Sequence, residues 1–248
     1  MQVNIRARLG FNGPSISLGN LQLDVGSVGS TSSWAGSYHV LSMGRHFEEY
    51  VLTPRSLLLP PILNFPASHP YQRCTGKIKA PSVTGNIGEA VAALFARGCL
   101  GLYISDIAHI RPNQPFRQRK VPDYLMRMKQ FLPGQLQGVW PQGVSTGPEW
   151  WPVESKARNT SSSTKQGVRE AFKQLAAFWH TIHASRPNET GFGMVVSLTY
   201  NFPREVLVTL FLPQNQNSLL ARLRATDYQT YVSEVENDPM TIGALYGA

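Results

Sequence analysis

The stretch Trp150-Trp151-Pro152-Val153-Glu154-Ser155-Lys156-Ala157 decides how the chain is read, because it sets a carboxylate and an ammonium two positions apart in an apolar, strand-forming run. Side chains on a β-strand alternate between faces, so Glu154 and Lys156 share one face, roughly 6.5 Å apart along the strand. Charge on a core strand is costly unless it is paired or holds a metal ion. An edge-strand salt bridge meets that demand, and so does a metal-dependent catalytic site. The flanking sequence bears on the choice.

Downstream, Arg158 and the polar run 159–164 form a turn that caps a long helix over 165–183. Val168, Ala171, Phe172, Leu175, Trp179 and Ile182 fall at i, i+3, i+4, i+7 spacing and predict a face packed on a sheet. Lys165, Arg169 and Lys173 form a basic stripe on the same helix. Two further strands are expected at 193–200 and 206–212. Upstream, 121–126 reads as a strand with Pro122 at its opening, where a missing N–H costs least. Residues 100–110 read as another strand with Asp106 its only charge. Between these two lies a basic loop carrying Arg111, Arg117, Arg119 and Lys120. A helix over 85–97 is predicted by Ile87, Val91, Leu94 and Phe95, with cap candidates in 82–86 and a stop at Gly98. Glu89 lies off its apolar stripe, where a solvated acid near the positive helix end is the plain reading.

At 248 residues and 27.5 kDa the chain is long enough for one large α/β domain or a core domain with an extension. Residues 1–75 are expected to form a β-rich N-terminal extension, with strand-like fragments at 3–9, 16–25 and 38–41 and recurrent prolines over 53–70. A core is expected over 76–215, and 216–248 as a helical, acidic tail. The formal net charge of +8 and pI near 9.7 favour a polyanionic partner. Cys74 and Cys99 are too few for a disulfide framework or a cysteine-based zinc site, and the expected thiols are reduced. No apolar run reaches the length of a membrane span, which points to a protein without membrane association and to a cytoplasmic location. Serine-hydrolase elbow, P-loop and dinucleotide motifs are missing from the sequence.

The order is then helix, strand, strand with Asp123, strand with Glu154 and Lys156, helix, strand. Pro122-Asp123 followed by Glu154-Ser155-Lys156 resembles the PD-(D/E)xK motif of the restriction-endonuclease-like nuclease superfamily. Lys156 is the only one of seven lysines with an acid two positions before it, and Asp123 is the only Asp that directly follows a proline. The resemblance covers about residues 80 to 215. It implies an α/β fold with an α-β-β-β-α-β core, a central mixed sheet flanked by helices. It also implies a metal-dependent endonuclease that hydrolyses DNA, in a prokaryotic restriction, anti-phage defence or mobile-element setting.

Phosphodiester hydrolysis requires charge neutralisation at phosphorus and a hydroxide at neutral pH, and Mg²⁺, with Mn²⁺ as a substitute, supplies both. Hard cations take oxygen ligands, so Asp123 and Glu154 are the expected ligands, with the Ser155 backbone carbonyl as a third. Lys156 is expected to orient or deprotonate the attacking water. Glu89 matches the first-helix acid with which many superfamily members support the metal. Arg158, Lys165, Arg169, Lys173, Arg117, Arg119 and Lys120 are the expected contacts to the nucleic-acid backbone. Some members carry Gln and Tyr one turn apart on the second helix; here Gln174 is followed by Phe178, which departs from that pattern. A homodimer or a partner protein subunit is expected to supply targeting. Two alternatives share these residues: a non-catalytic DNA-binding or assembly subunit with the same fold, and an RNA-directed nuclease. His180 and His183 at i, i+3 spacing allow a weaker metal reading, and Asn215, Gln216 and Asn217 a base-reading loop.

Overall fold

Strand β5, Trp150–Ala157, forms over the whole of the stretch that carries the charge pair, and it lies inside the sheet. The computed structural model describes residues 2–22, 81–103, 106–109, 121–128, 139, 149–157, 161–198 and 205–246. The strand expected at 38–41, the proline-rich run 53–70, the boundary near 75, Arg158 and the loop with Arg117, Arg119 and Lys120 lie outside these residues. Pro152 is tolerated in an inner strand because it stands one residue before the β6 ladder begins at Val153–Met194, where its missing N–H is not required.

Strands β1 (Gln2–Leu9), β2 (Ile16–Gln22), β3 (Ile107–His109), β4 (Tyr124–Arg127), β6 (Gly193–Leu198) and β7 (Glu205–Phe211) complete a mixed sheet in the order β2-β1-β7-β6-β5-β4-β3. Helix α1, Pro81–Gly98, covers one face, where Val91, Phe95, Tyr124, Val153, Met194, Val196 and Val208 share a core. Every residue from Val91 to Ala96 is buried, so the helix packs over more than the stripe of Val91, Leu94 and Phe95. Helix α2, Ser161–Ile182, covers the other face with Val168, Ala171, Phe172, Leu175 and Trp179 buried, and Ile182 half-buried. The described elements α1-β3-β4-β5-α2-β6 follow the order read from the sequence.

Two differences have physical causes, while the acidic C-terminal stretch is helical as expected. Among the described residues of the strand expected over 100–110, β3 alone is strand: Gly101 has a φ of 63°, and Asp106 sits in a short turn, accepting from the Tyr103 N–H at 2.9 Å and from Arg127 Nη2 at 2.6 Å. The N-terminal strands continue the same sheet, because β1 pairs in parallel with β7 from Asn4–Glu205 to Leu9–Leu210. The acidic C-terminal stretch folds into α3 (Gln216–Ala225), α4 (Tyr228–Asn237) and α5 (Pro239–Ala244). Its acids serve those helices: Asp227 caps α4, Asp238 caps α5, and Glu234 pairs with Arg222 at 2.5 Å.

Trp179 joins these layers. Its ring stacks on Tyr246 at 4.5 Å and its indole N–H donates to the Phe192 carbonyl at 3.0 Å. Trp179→Phe, which strands that buried carbonyl, is expected to lower stability by about 1–3 kcal/mol, and Trp179→Ala by about 3–5 kcal/mol, measured by urea unfolding. Equal midpoints for the two variants would contradict the assigned packing.

Candidate metal centre and its basic counterpart

The β4–β5 ladder closes at Tyr124–Val153, the first residue of β4. One step further the backbones part, and side chains take over the pairing. Asp123 N–H donates to Glu154 Oε2 at 3.0 Å, while Ser155 N–H donates to Asp123 Oδ2 at 2.8 Å. The Ser155 hydroxyl donates to the same Oδ2 at 2.6 Å. Each carboxylate is thus fixed by the backbone of the other strand, and the two acids adjoin. In an extended strand the N–H and C=O of one residue point to the same edge, so the Ser155 carbonyl faces the Asp123 side as well.

Glu154 is 1% exposed and Lys156 half-buried. Lys156 Nζ donates to Glu154 Oε1 and, at 2.7 Å, to Gln174 Oε1. Gln174 is in turn held by its Nε2, which donates to the Val121 carbonyl at 3.2 Å. Burial, and then the Asp123 charge, push the Glu154 carboxyl up to about 8 despite Lys156. Burial also raises Asp123, opposed by the two Ser155 hydrogen bonds, with the charge of Glu89 adding to the rise. Glu89 therefore lies within electrostatic reach of Asp123, and its backbone carbonyl accepts from the Tyr124 hydroxyl at 3.4 Å.

Asp123, Glu154, Ser155 and Lys156 come together, with Glu89 at the margin. The basic residues divide. Lys165 and Gln174 are nine positions apart, about 180° around the helix, so they occupy opposite flanks of α2. Lys165 and Arg169 line a cavity beside Arg8 of β1 and are turned away from the carboxylates. Lys173 lies 3.9 Å from Glu170 on the helix surface. His180 spends Nε2 on the Thr226 carbonyl at 2.7 Å, and Asn215 caps α3 through the Ser218 N–H, so both have structural partners. Gln174 is the site member whose contact sequence periodicity alone did not reveal.

Among the described residues no three His, Cys, Asp or Glu side chains assemble as a metal-holding group. The donor set still fits Mg²⁺, which keeps several waters and takes one or two carboxylates. Burial suppresses the ionisation of two adjoining carboxyls, and a divalent cation would supply positive charge that favours their ionised forms. No family model, no curated protein and no solved structure matches this chain.

A carboxyl raised to about 8 from its ordinary 4.5 holds a proton in the folded state that it loses in the unfolded one. Its contribution to stability is therefore full below pH 4.5 and lost as the pH rises towards 8. The urea midpoint of metal-free protein is expected to fall between about pH 5 and about pH 8, and Glu154→Gln to flatten that slope. A wild-type midpoint constant over the window would refute the assigned burial of charge.

Proposed function

We propose that the chain is a Mg²⁺-dependent endonuclease that hydrolyses DNA phosphodiester bonds, with a restriction-endonuclease-like core and one PD-(D/E)xK site. The observation that carries this reading is the junction of Asp123 and Glu154 across two strands with Lys156 hydrogen-bonded beside them. Asp123, Glu154 and the Ser155 carbonyl would hold the cation, with Mn²⁺ as a substitute, and Glu89 would add negative charge behind them. When bound, the ion supplies Lewis acidity and lowers the pKa of water.

The chain's own residues do the rest. An ammonium has three N–H donors; Glu154 Oε1 and Gln174 Oε1 take two of those on Lys156, which leaves one for a water or a phosphate oxygen. Ser155 holds Asp123 through both its N–H and its hydroxyl, so one carboxylate oxygen is fixed. Buried walls around Glu154 reduce the local dielectric and strengthen the pull of Lys156 on developing negative charge. A chain with one such site makes one cut, so double-strand cleavage calls for a homodimer or a partner subunit. The setting that agrees with this chemistry is prokaryotic restriction, anti-phage defence or a mobile element, in the cytoplasm. Among the described residues no helix is long and apolar enough to cross a membrane.

A second reading, a non-catalytic DNA-binding or assembly subunit, is favoured by the way Asp123 Oδ2 and both Glu154 oxygens are satisfied internally. Plasmid DNA incubated with protein and Mg²⁺ separates the two. Cleavage is expected, with losses of about 10²- to 10⁴-fold in Lys156→Ala and a comparable loss in Asp123→Ala. Gln174→Met, which removes one acceptor from Nζ, should slow cleavage about tenfold. Equal nicking by wild type, Asp123→Ala and Lys156→Ala would sink the nuclease assignment, and a parallel assay on RNA identifies an RNA-directed enzyme.

A further inference from the structure

A second charged feature lies on the far flank of α2. Glu154 pairs with Val195, Val195 with Thr209, and Thr209 with Arg8, so the four residues form one row across β5, β6, β7 and β1. Cross-strand partners point to the same face, and three strand spacings place Arg8 about 14 Å from Glu154. Helix α2 runs over the row between its two ends. At the β1 end is a cavity of about 290 Å³ lined by Arg8, Phe11, Asn12, Lys165, Arg169 and Met240.

The lining carries three cations and no acid. Burial lowers the Arg8 pKa, and its Nε donates to Thr209 Oγ1 at 3.1 Å; among the described residues its two terminal amino groups have no hydrogen-bond partner. Lys165 and Arg169 are exposed on adjacent turns and, among the described residues, make no ion pair. The floor is rigid: Phe11 sets its ring edge-on to Phe172 at 5.3 Å and to Phe211 at 5.2 Å. Like charges converging on one concavity repel, and a partly buried guanidinium without a counter-ion is costly. A multivalent oxyanion removes both costs, and a guanidinium fork matches phosphate geometry.

We infer that this cavity is a phosphoryl-binding site, separate from the carboxylate centre, that holds a phosphate group between Arg8, Lys165 and Arg169. The phosphoryl group comes either from a free phosphorylated small molecule or from a nucleic-acid backbone lying across α2. The site needs neither metal nor cleavage, so it stands or falls independently of the nuclease reading.

The test is a calorimetric titration of full-length protein in EDTA with two probes, inorganic pyrophosphate and a blunt DNA duplex without terminal phosphates. Binding of pyrophosphate identifies the small-molecule source; binding of the duplex alone identifies the backbone. In either case the surface double variant Lys165→Glu/Arg169→Glu is expected to weaken binding by about tenfold or more, and Arg8→Gln to do the same where it folds. Arg186→Glu and Arg224→Glu should stay within about twofold of wild type, because both are exposed and neither lines the cavity. The inference is overturned if neither probe binds, if the double variant binds as tightly as wild type, or if either control loses as much as the double variant.

Discussion

The reciprocal hydrogen bonds between Asp123 and the Glu154–Ser155 segment are the constraint on which the rest of the arrangement depends. They stand where the β4–β5 ladder ends, so they satisfy backbone groups that would otherwise be orphaned as the strands part. They also force two carboxylates together in a buried place, which no packing preference would do. Everything nearby compensates for this. Ser155 gives both its donors to Asp123, Lys156 turns to Glu154, and Gln174 reaches across from α2 to hold Lys156 while its amide ties back to the Val121 carbonyl. The opening of the sheet and the charge cluster are one feature.

Helix α2 separates two charged regions among the described residues. Its apolar stripe lies on β6 and β7, and the sides of that stripe face different chemistry: Gln174 towards Lys156, and Lys165 with Arg169 towards Arg8. The same face of the sheet carries Glu154 at one end of a row and Arg8 at the other. Opposite charges placed at the two ends of a row, rather than beside each other, do not neutralise one another through a salt bridge.

The fold was legible in the sequence where local chemistry dominates. Strand β5 follows from Trp150, Trp151 and Val153; α2 follows from a stripe of which Phe172 and Trp179 are fully buried. The carboxylate-lysine cluster was legible because spacing of two on a strand, and an acid after a proline, are local patterns. What depends on pairing between distant segments was not. That β1 joins β7 in parallel is decided by a register across some two hundred residues, and nothing within residues 2–9 specifies it. The length of β3 is cut by Gly101 and by the pull of Asp106 on Tyr103 and Arg127, a competition invisible in an apolar run. Lys165, Arg169 and Lys173 read as one stripe, yet Lys173 stands beside Glu170 while the other two turn to a cavity that β1 and Met240 complete. Gln174 was visible only as a departure from a family pattern, since its partner is eighteen residues away on β5.

The molecule contains its own control for what a purely structural buried acid looks like. Asp106 is 4% exposed, and Arg127 meets it through Nε at 2.9 Å and Nη2 at 2.6 Å, while the Tyr103 N–H takes the other oxygen at 2.9 Å. The Arg127 guanidinium also lies 3.8 Å from Glu149 Oε1, so its charge is shared between a buried acid and an exposed one. At the β4–β5 fork two acids adjoin: Asp123 and Glu154, with Glu89 in reach, face the ammonium of Lys156, and burial drives both carboxyls towards their protonated forms. Retaining a second acid makes the empty-handed state costlier. A divalent cation would offset that cost, and it is on this pairing of two buried acids that the proposed metal-dependent reaction rests.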